Sequence, residues 1–383
     1  MEQVKEFNPI ETARKVENSY REYIATTIHF ADSDLQDQLE NILKKSGYLA
    51  KGPFLEAAPP YCKDKSVAEL VDEGTLCKGM MSLGGGNPDN FDPNRPLYVH
   101  QVEAIEKAVR GRNYAVVTGT GSGKTECFLL PILNDILSEF EERGCSAGVR
   151  AMILYPMNAL ANDQLKRLRM LLEGTDITFG RYTGDTEETD KKALRKWKEE
   201  NPGQVKLPNE IISREEIRKN PPNILLTNYS MLEYLLLRPE DAPLFGGVFG
   251  VNWRHIAIDE AHIYSGALGT EIAYLLRRLK ARIESETGKQ PRLHCYATSA
   301  TIGTEKDMPK VAKFAHDLFG EPFSGEGPEL DVVSSKKDQP QDALDETPWG
   351  ALPLTAWTGL RRELYDPEAV DASAIKEVLE SSD

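Results

Sequence analysis

No apolar run in this chain approaches the ~18 residues that a membrane span requires. The first residues, Met-Glu-Gln-Val-Lys-Glu-Phe, place charges where a signal peptide carries its apolar stretch. Both absences lead to the expectation of a cytosolic protein with no membrane partner. The five cysteines (Cys62, Cys77, Cys127, Cys145, Cys295) are scattered and form no CxxC pair, which suits a reducing compartment better than a disulfide framework. A zinc centre lacks its donors. Cys62 and Cys77 only flank a short helical pattern where about four ligands are needed, and none of the six histidines stands at HxxxH spacing. Internal repeats and heptads are also missing.

Positive charge is scarce overall, with a formal net charge of -15, but the deficit is local. The segment from Glu321 to Asp383 holds 15 acidic against 5 basic residues, leaving -5 for residues 1–320. A nucleic-acid partner is therefore not excluded, because counterion release depends on the phosphates contacted locally and not on overall pI.

What is present is a core-forming composition, 40% hydrophobic over 383 residues, enough for an α/β globular protein. Asn8-Pro9 reads as a helix start, with Ile10, Ala13, Val16, Tyr20 and Ile24 at helical spacing. A second helix is expected from Asp32-Ser33 to Gly47 and a short third one after Ser66. Prolines and Gly84-Gly85-Gly86 then mark a loop-rich passage. From about 96 to 301, short β-branched runs alternate with helical stretches, which predicts βαβ units and a mainly parallel sheet flanked by helices. The strand candidates are 114–118, 150–155, 178–182, 223–227, 255–258 and 293–298. Beyond 320 the periodicity fades, apart from a weak helix at 374–379. The expected division is a helical N-terminal region (1–95), an α/β nucleotide-binding domain (96–320) and an acidic linker or tail (321–383).

The chemistry sits at the C-terminal ends of these strands, the edge along which open α/β sheets bind ligands. Thr118-Gly119-Thr120-Gly121-Ser122-Gly123-Lys124-Thr125 follows the first strand and opens a helix. Its glycines let backbone N–H groups turn toward a polyphosphate lying at the helix's positive end. Lys124 would reach the β/γ-phosphates and Thr125 would ligate Mg²⁺. The strict pattern wants glycine where Thr118 stands. Ile256-Ala257-Ile258 then delivers Asp259 and Glu260, the first a candidate metal partner and the second a candidate base for an attacking water. Such a pair alone is commonly just a solvated strand cap; behind a phosphate loop it reads as catalytic.

Taken with Ser299-Ala300-Thr301, these segments resemble the first RecA-like domain of superfamily 2 helicases, in the broad DEAD/DEAH group, over about Tyr98 to Thr301. The resemblance implies ATP and Mg²⁺ as cofactors and a nucleic-acid strand as partner. Tyr98 and Gln101 would read adenine, by stacking and by hydrogen bonding. His262, Ser299 and Thr301 would couple nucleotide state to the nucleic acid. Tyr155-Pro156-Met157-Asn158, with Gln164 behind it, then Thr183-Gly184-Asp185 and Thr227-Asn228 resemble the strand-end motifs that grip the nucleic-acid backbone. Lys191, Lys192 and Trp197 lie in an insertion between two of these motifs, where a solvated helix face and a single-strand contact are both open readings.

The N-terminal helices with Gly52-Pro53-Phe54-Leu55-Glu56, the helix from Thr125 to Pro131 and the stretch from Asn228 to Tyr234 are most similar to large bacterial helicases of the mitomycin-repair and DISARM-type phage-defence kind, which implies single-stranded or partly duplex DNA, RNA not being excluded. No Gln-x-x-Gly-Arg-like segment follows Thr301, and Arg361-Arg362 lacks the glycine. A second RecA-like domain, in cis or from another chain, is therefore expected to supply the transition-state arginine, worth about 10³–10⁵ in rate in related enzymes. The rival reading is a nucleotide-switched adaptor subunit that binds DNA without unwinding it.

Overall fold

The computed structural model describes residues 9–28, 30–45, 47–50, 60–119, 121–300, 307–327 and 330–338. The chain divides into a compact unit, Pro60–Asp338, and a second unit drawn from Met1–Pro59 and Gln339–Asp383. Of the second unit, two helices are described, Pro9–Thr27 and Ser33–Leu43. Asp32 caps the latter by accepting from the amides of Asp34 and Leu35, and Arg21 Nε donates to the Leu43 carbonyl at 3.1 Å. The helix expected at 374–379 lies outside the described residues. No described helix is long and apolar enough to cross a membrane.

Two short strands open the compact unit, β1 (Lys63–Ser66) and β2 (Pro96–Tyr98), paired antiparallel. Eight further strands form one wholly parallel sheet: β3 (Tyr114–Val117), β4 (Ala151–Leu154), β5 (Phe179–Arg181), β6 (Glu210–Ile211), β7 (Ile224–Thr227), β8 (His255–Ile258), β9 (His294–Ser299) and β10 (Val332–Ser334). Their spatial order is β10-β3-β9-β8-β4-β7-β5-β6. All six strands expected from sequence are present, within a residue at each end. Their near-continuous apolar runs follow from burial on both faces, which a parallel sheet demands; β3, β4, β7 and β8 are buried at every position.

The two-residue side-chain period distributes each strand between two cores. Tyr114, Val116, Ile153 and Ala257 join the core beneath helices Val99–Val109, Lys124–Arg143 and Asn158–Leu171. Ala115, Met152, Leu154, Ile256 and Ile258 join the opposite core beneath Tyr229–Leu237, Gly266–Thr287 and Met308–Phe319.

The packing boundary falls at 60 and 338, where the sequence suggested 96 and 320. Val67, Leu70, Met80 and Leu83 are buried in the first core, so the stretch after Ser66 covers the domain. At the other end Val333 pairs with Val116, and Lys107 and Arg112 hold Leu330 and Asp331 through a 2.7 Å hydrogen bond and a 2.8 Å ion pair. The two ends of the unit also meet: Cys62 N donates to Lys336 O at 2.9 Å and Asp338 N to Pro60 O at 2.8 Å.

Helix Lys124–Arg143 contains Pro131. Its ring nitrogen carries no proton for the carbonyl four residues earlier, that of Cys127. Tyr114 of β3 supplies the missing donor, its hydroxyl lying 2.6 Å from Cys127 O. The buried phenol thus ties the helix behind the phosphate loop to the strand in front of it. Replacing Tyr114 by Phe leaves that carbonyl unsatisfied and is expected to cost about 1–3 kcal/mol, read as a lower denaturant midpoint at unchanged slope. An unchanged midpoint refutes the assignment.

Candidate nucleotide site and nucleic-acid edge

β3 delivers Thr118 to a fully buried position, where its hydroxyl meets that of Ser122 at 2.5 Å. Gly121 and Gly123 both take positive φ, +75° and +71°, a conformation costly for any residue with a Cβ. At Gly123 space is limiting as well: a Cβ would stand 2.4 Å from Gln101 Nε2. Gly123 is the N-cap of the following helix, which has no side-chain cap hydrogen bond there; its first amides remain open to an anion. Thr120 lies outside the described residues.

Three adjacent strands, β3, β9 and β8, bring the acidic motif to this loop. Lys124 Nζ lies 3.0 Å from Glu260 Oε1 and is only 9% exposed. Asp259, itself 7% exposed, accepts hydrogen bonds on Oδ1 from the Thr298 hydroxyl and, at 3.1 Å, from the Glu260 amide. That amide is shared with Thr298 Oγ1, also at 3.1 Å. Burial pushes the Asp259 carboxyl above its ordinary pKa, and the Thr298 hydrogen bond opposes this.

Glu260 is the one described non-glycine residue with positive φ, at φ 51° and ψ 46°, a conformation that costs about 1–3 kcal/mol. The strain turns its carboxylate back toward Lys124. Glu260 Oε2 is buried without a hydrogen-bond partner, and His262 Nδ1, 3.4 Å away, is equally unpartnered.

Thr125 and Asp259, 8% and 7% exposed, offer a hydroxyl and a carboxylate, hard oxygen donors of the type Mg²⁺ takes. The site residues therefore fit that ion. Ser299 ends β9 and its carbonyl accepts from the Thr118 amide at 3.2 Å; Thr301 lies outside the described residues. Thr298 was missed in the sequence, although the register that pairs Ile258 with Ala297 puts it beside Asp259.

Gln101 is already committed at both ends. Its Oε1 accepts from the Tyr98 amide at 2.8 Å and its Nε2 donates to Gly123 O at 3.0 Å. His100 adds a 2.8 Å contact from Nε2 to Ser122 O, so the helix start clamps the phosphate loop. The Tyr98 ring stacks on His100, centroids 5.6 Å apart. Tyr98 and Gln101 nonetheless line a cavity of about 640 Å³ together with Phe91, Arg95 and Gly121. Phe91 and Arg95 come from the loop-rich passage ahead of the α/β pattern, where no site residue was expected.

Along the same sheet edge, the ends of β4, β5 and β7 are tied together. Asn158 donates to Asp185 Oδ2 at 2.9 Å and accepts from Asn228 Nδ2 at 2.8 Å. Asn228 also caps the next helix through the Met231 amide. Pro156 and Gln164 are half-buried on this edge, Gly184 is exposed, and Lys191 and Lys192 are exposed on helix Asp190–Glu200.

Three expected contacts differ. Thr227 is buried and its hydroxyl donates to Tyr182 O at 2.6 Å, and the Thr183 side chain is buried too, so neither hydroxyl faces solvent. Trp197 is 6% exposed, its indole N–H on Glu210 and its ring beneath the Arg169 guanidinium at 5.3 Å. It fills the insertion's own core and has no free face for a base.

Comparison with known proteins places this arrangement. The Druantia protein DruE of Escherichia coli (strain UMEA 4076-1) is 30% identical over 426 residues, covering 85% of this chain and 23% of that protein. The uncharacterized ATP-dependent helicase YprA of Bacillus subtilis (strain 168) is 31% identical over 257 residues, 66% of this chain and 28% of its own length. The chain thus spans about a quarter of the length of these curated relatives. Among solved structures, the DUF1998 helicase MrfA bound to DNA superposes with a TM-score of 0.51 at 22% identity, over 85% of this chain and 41% of that one, a likeness of fold. Residues 98–308, more than half of the chain and the whole span from Tyr98 to Ser299, match the DEAD/DEAH box helicase family, and the chain belongs to that family as its first, RecA-like domain.

Proposed function

We propose that this chain is the ATP-binding half of an ATP-dependent DNA helicase or translocase. The observation that carries the reading is the junction of phosphate loop and acidic motif: Lys124, Glu260, Asp259 and Thr298 within one hydrogen-bonded cluster at the ends of adjacent parallel strands. DNA is favoured over RNA because the MrfA structure holds DNA, and the kinship with DruE agrees with a bacterial defence or repair setting. A second RecA-like domain, in cis or from another chain, would complete the motor.

The chemistry follows from the groups present. A triphosphate draws Lys124 from Glu260 onto its β/γ oxygens, while the open amides at the start of helix Lys124–Arg143 take the remaining charge. Release from Lys124 leaves the Glu260 carboxylate to orient and deprotonate the attacking water. Thr125 and Asp259 would hold Mg²⁺, which when bound neutralises developing charge on the phosphates. Thr298 fixes Asp259 in the required rotamer. Tyr98, Phe91 and Arg95, in the lining of the cavity, would meet the base while Gln101 braces the loop beside it, and Asn158, Gly184, Asn228 and Gln164 would meet the strand through its phosphates.

Two outcomes test the reading. Titration with a fluorescent ATP analogue is expected to give Mg²⁺-dependent binding that Lys124→Ala abolishes. Glu260→Gln should keep that binding and lose about 10²–10⁴ in hydrolysis rate. Unchanged affinity in Lys124→Ala refutes the site. On the nucleic-acid side, Lys191→Gln/Lys192→Gln is expected to weaken single-stranded DNA binding and to lower the log–log salt slope by about 1.4, two phosphate contacts at ~0.7 each. An unaltered slope returns both lysines to a solvated helix face.

A further inference from the structure

One ion pair joins the nucleotide cavity to the nucleic-acid edge inside this single domain. Glu126 lies in the first turn of helix Lys124–Arg143, two residues beyond Lys124. Its carboxylate pairs with Arg167 Nη2. Arg167 belongs to helix Asn158–Leu171, the helix that begins at Asn158 and carries Gln164. Both side chains line the cavity that contains Gly121, Gly123 and Gln101.

The pair is unevenly satisfied. Glu126 Oε2 is buried with no hydrogen-bond partner and lies 3.2 Å from where a Cβ on Gly123 would stand. A carboxylate thus rests against Gly123 of the phosphate loop, in the lining of the same cavity. The helix N-terminus favours that negative charge, and a triphosphate bound at the same helix end would compete with it for the same positive potential. Arg167 is the cation between them. It is about two-thirds withdrawn from solvent, at 36% side-chain exposure; that burial pushes the guanidinium below its ordinary pKa, and the charge of Asp259 opposes the shift. Its planar fork can satisfy a carboxylate and a phosphate oxygen with different nitrogens.

Resting on the nucleotide reading above, we propose that Arg167 is a nucleotide-responsive positioning residue: it pairs with Glu126 beside the phosphate loop, turns part of its fork toward a polyphosphate bound there, and so links nucleotide binding to the helix bearing Asn158 and Gln164. The link differs in kind from the arginine expected of a second domain. It lies within one fold, acts on binding, and needs no domain closure. By linkage, ATP and a nucleic-acid strand should then alter each other's affinity by one common factor.

The test uses the full chain and its Arg167→Met, Arg167→Lys, Arg167→Met/Glu126→Gln and Lys124→Ala variants, each confirmed folded by thermal unfolding. Affinities are measured for ATP and AMP, and for a single-stranded oligonucleotide with and without a nonhydrolysable ATP analogue. Arg167→Met is expected to lose about tenfold in ATP affinity, 1.4 kcal/mol, with AMP unchanged, and to abolish the effect of nucleotide on oligonucleotide binding. Removing the carboxylate as well should return part of the ATP affinity, and Arg167→Lys should keep part of both. A purely structural ion pair leaves the ATP-to-AMP ratio untouched. A wild-type ratio in Arg167→Met, with nucleotide-dependent oligonucleotide binding intact, overturns the proposal while Lys124→Ala still abolishes ATP binding. ATP affinity indifferent to Lys124→Ala instead overturns the nucleotide reading and this proposal with it.

Discussion

Adjacent carboxylates at the end of a strand buried at all four positions need partners from outside that strand, and the way Asp259 and Glu260 are held constrains everything around them. Asp259 is stabilised by a hydroxyl and an amide, Glu260 by the ammonium of Lys124. Neither set of partners comes from β8 alone. Thr298 must arrive on β9 and Lys124 on the helix after β3, which requires these three strands to be neighbours, parallel and in one register. The sheet order β3-β9-β8 is the arrangement that lets one cation and one hydroxyl serve two acids. The left-handed backbone at Glu260 is tolerated because its amide is held twice, by Asp259 and by Thr298, and because the turn it makes aims the carboxylate at Lys124.

Much of this was legible because parallel strands write their burial directly into sequence. The runs at β3, β4, β7, β8 and β9 are largely apolar on both faces, and most of the chemical motifs follow one of them, Thr183-Gly184-Asp185 after the shorter β5 being an exception. What escaped has physical reasons too. β10 and β6, at three and two residues, are too short to show a period, and both lie at sheet edges where one neighbour suffices. β1 and the helix behind it were grouped with the N-terminal helices because prolines and glycines follow them, whereas Val67, Leu70 and Met80 bind them to the core. Trp197 and Thr227 show the opposite failure. A polar or aromatic residue beside a functional motif looks available on the page, but only the fold reveals that Glu210 and the Tyr182 carbonyl already occupy their polar atoms.

The division of labour on the edge follows from the same accounting. Side chains whose hydrogen bonds close inward, Thr227 and Trp197 among them, fix the shape of the loops. Asn158 and Asn228 bond mainly to each other and to neighbouring loops, which makes the ends of β4, β5 and β7 one connected surface. Such a surface suits a partner met through a repeated backbone, since it offers donors at spaced positions without a pocket shaped for one base. The cavity of about 640 Å³ lies instead beside the phosphate loop, lined by Phe91, Arg95, Tyr98 and Gln101 among others.

The end of β9 joins the acidic pair to the phosphate loop. Successive residues there reach opposite neighbours: Thr298 bonds to Asp259 beyond β8, and the Ser299 carbonyl takes the Thr118 amide at the start of the phosphate loop. A change in how Asp259 is held cannot leave Thr118 unaffected, because a single peptide unit connects their partners and peptide geometry is stiff. Thr118 in turn is bonded to Ser122, and Ser122 to His100, so the chain of contacts runs from the acidic pair through the loop to the helix that lines the cavity. The acidic pair, the phosphate loop and that helix are thereby joined by an unbroken series of hydrogen bonds.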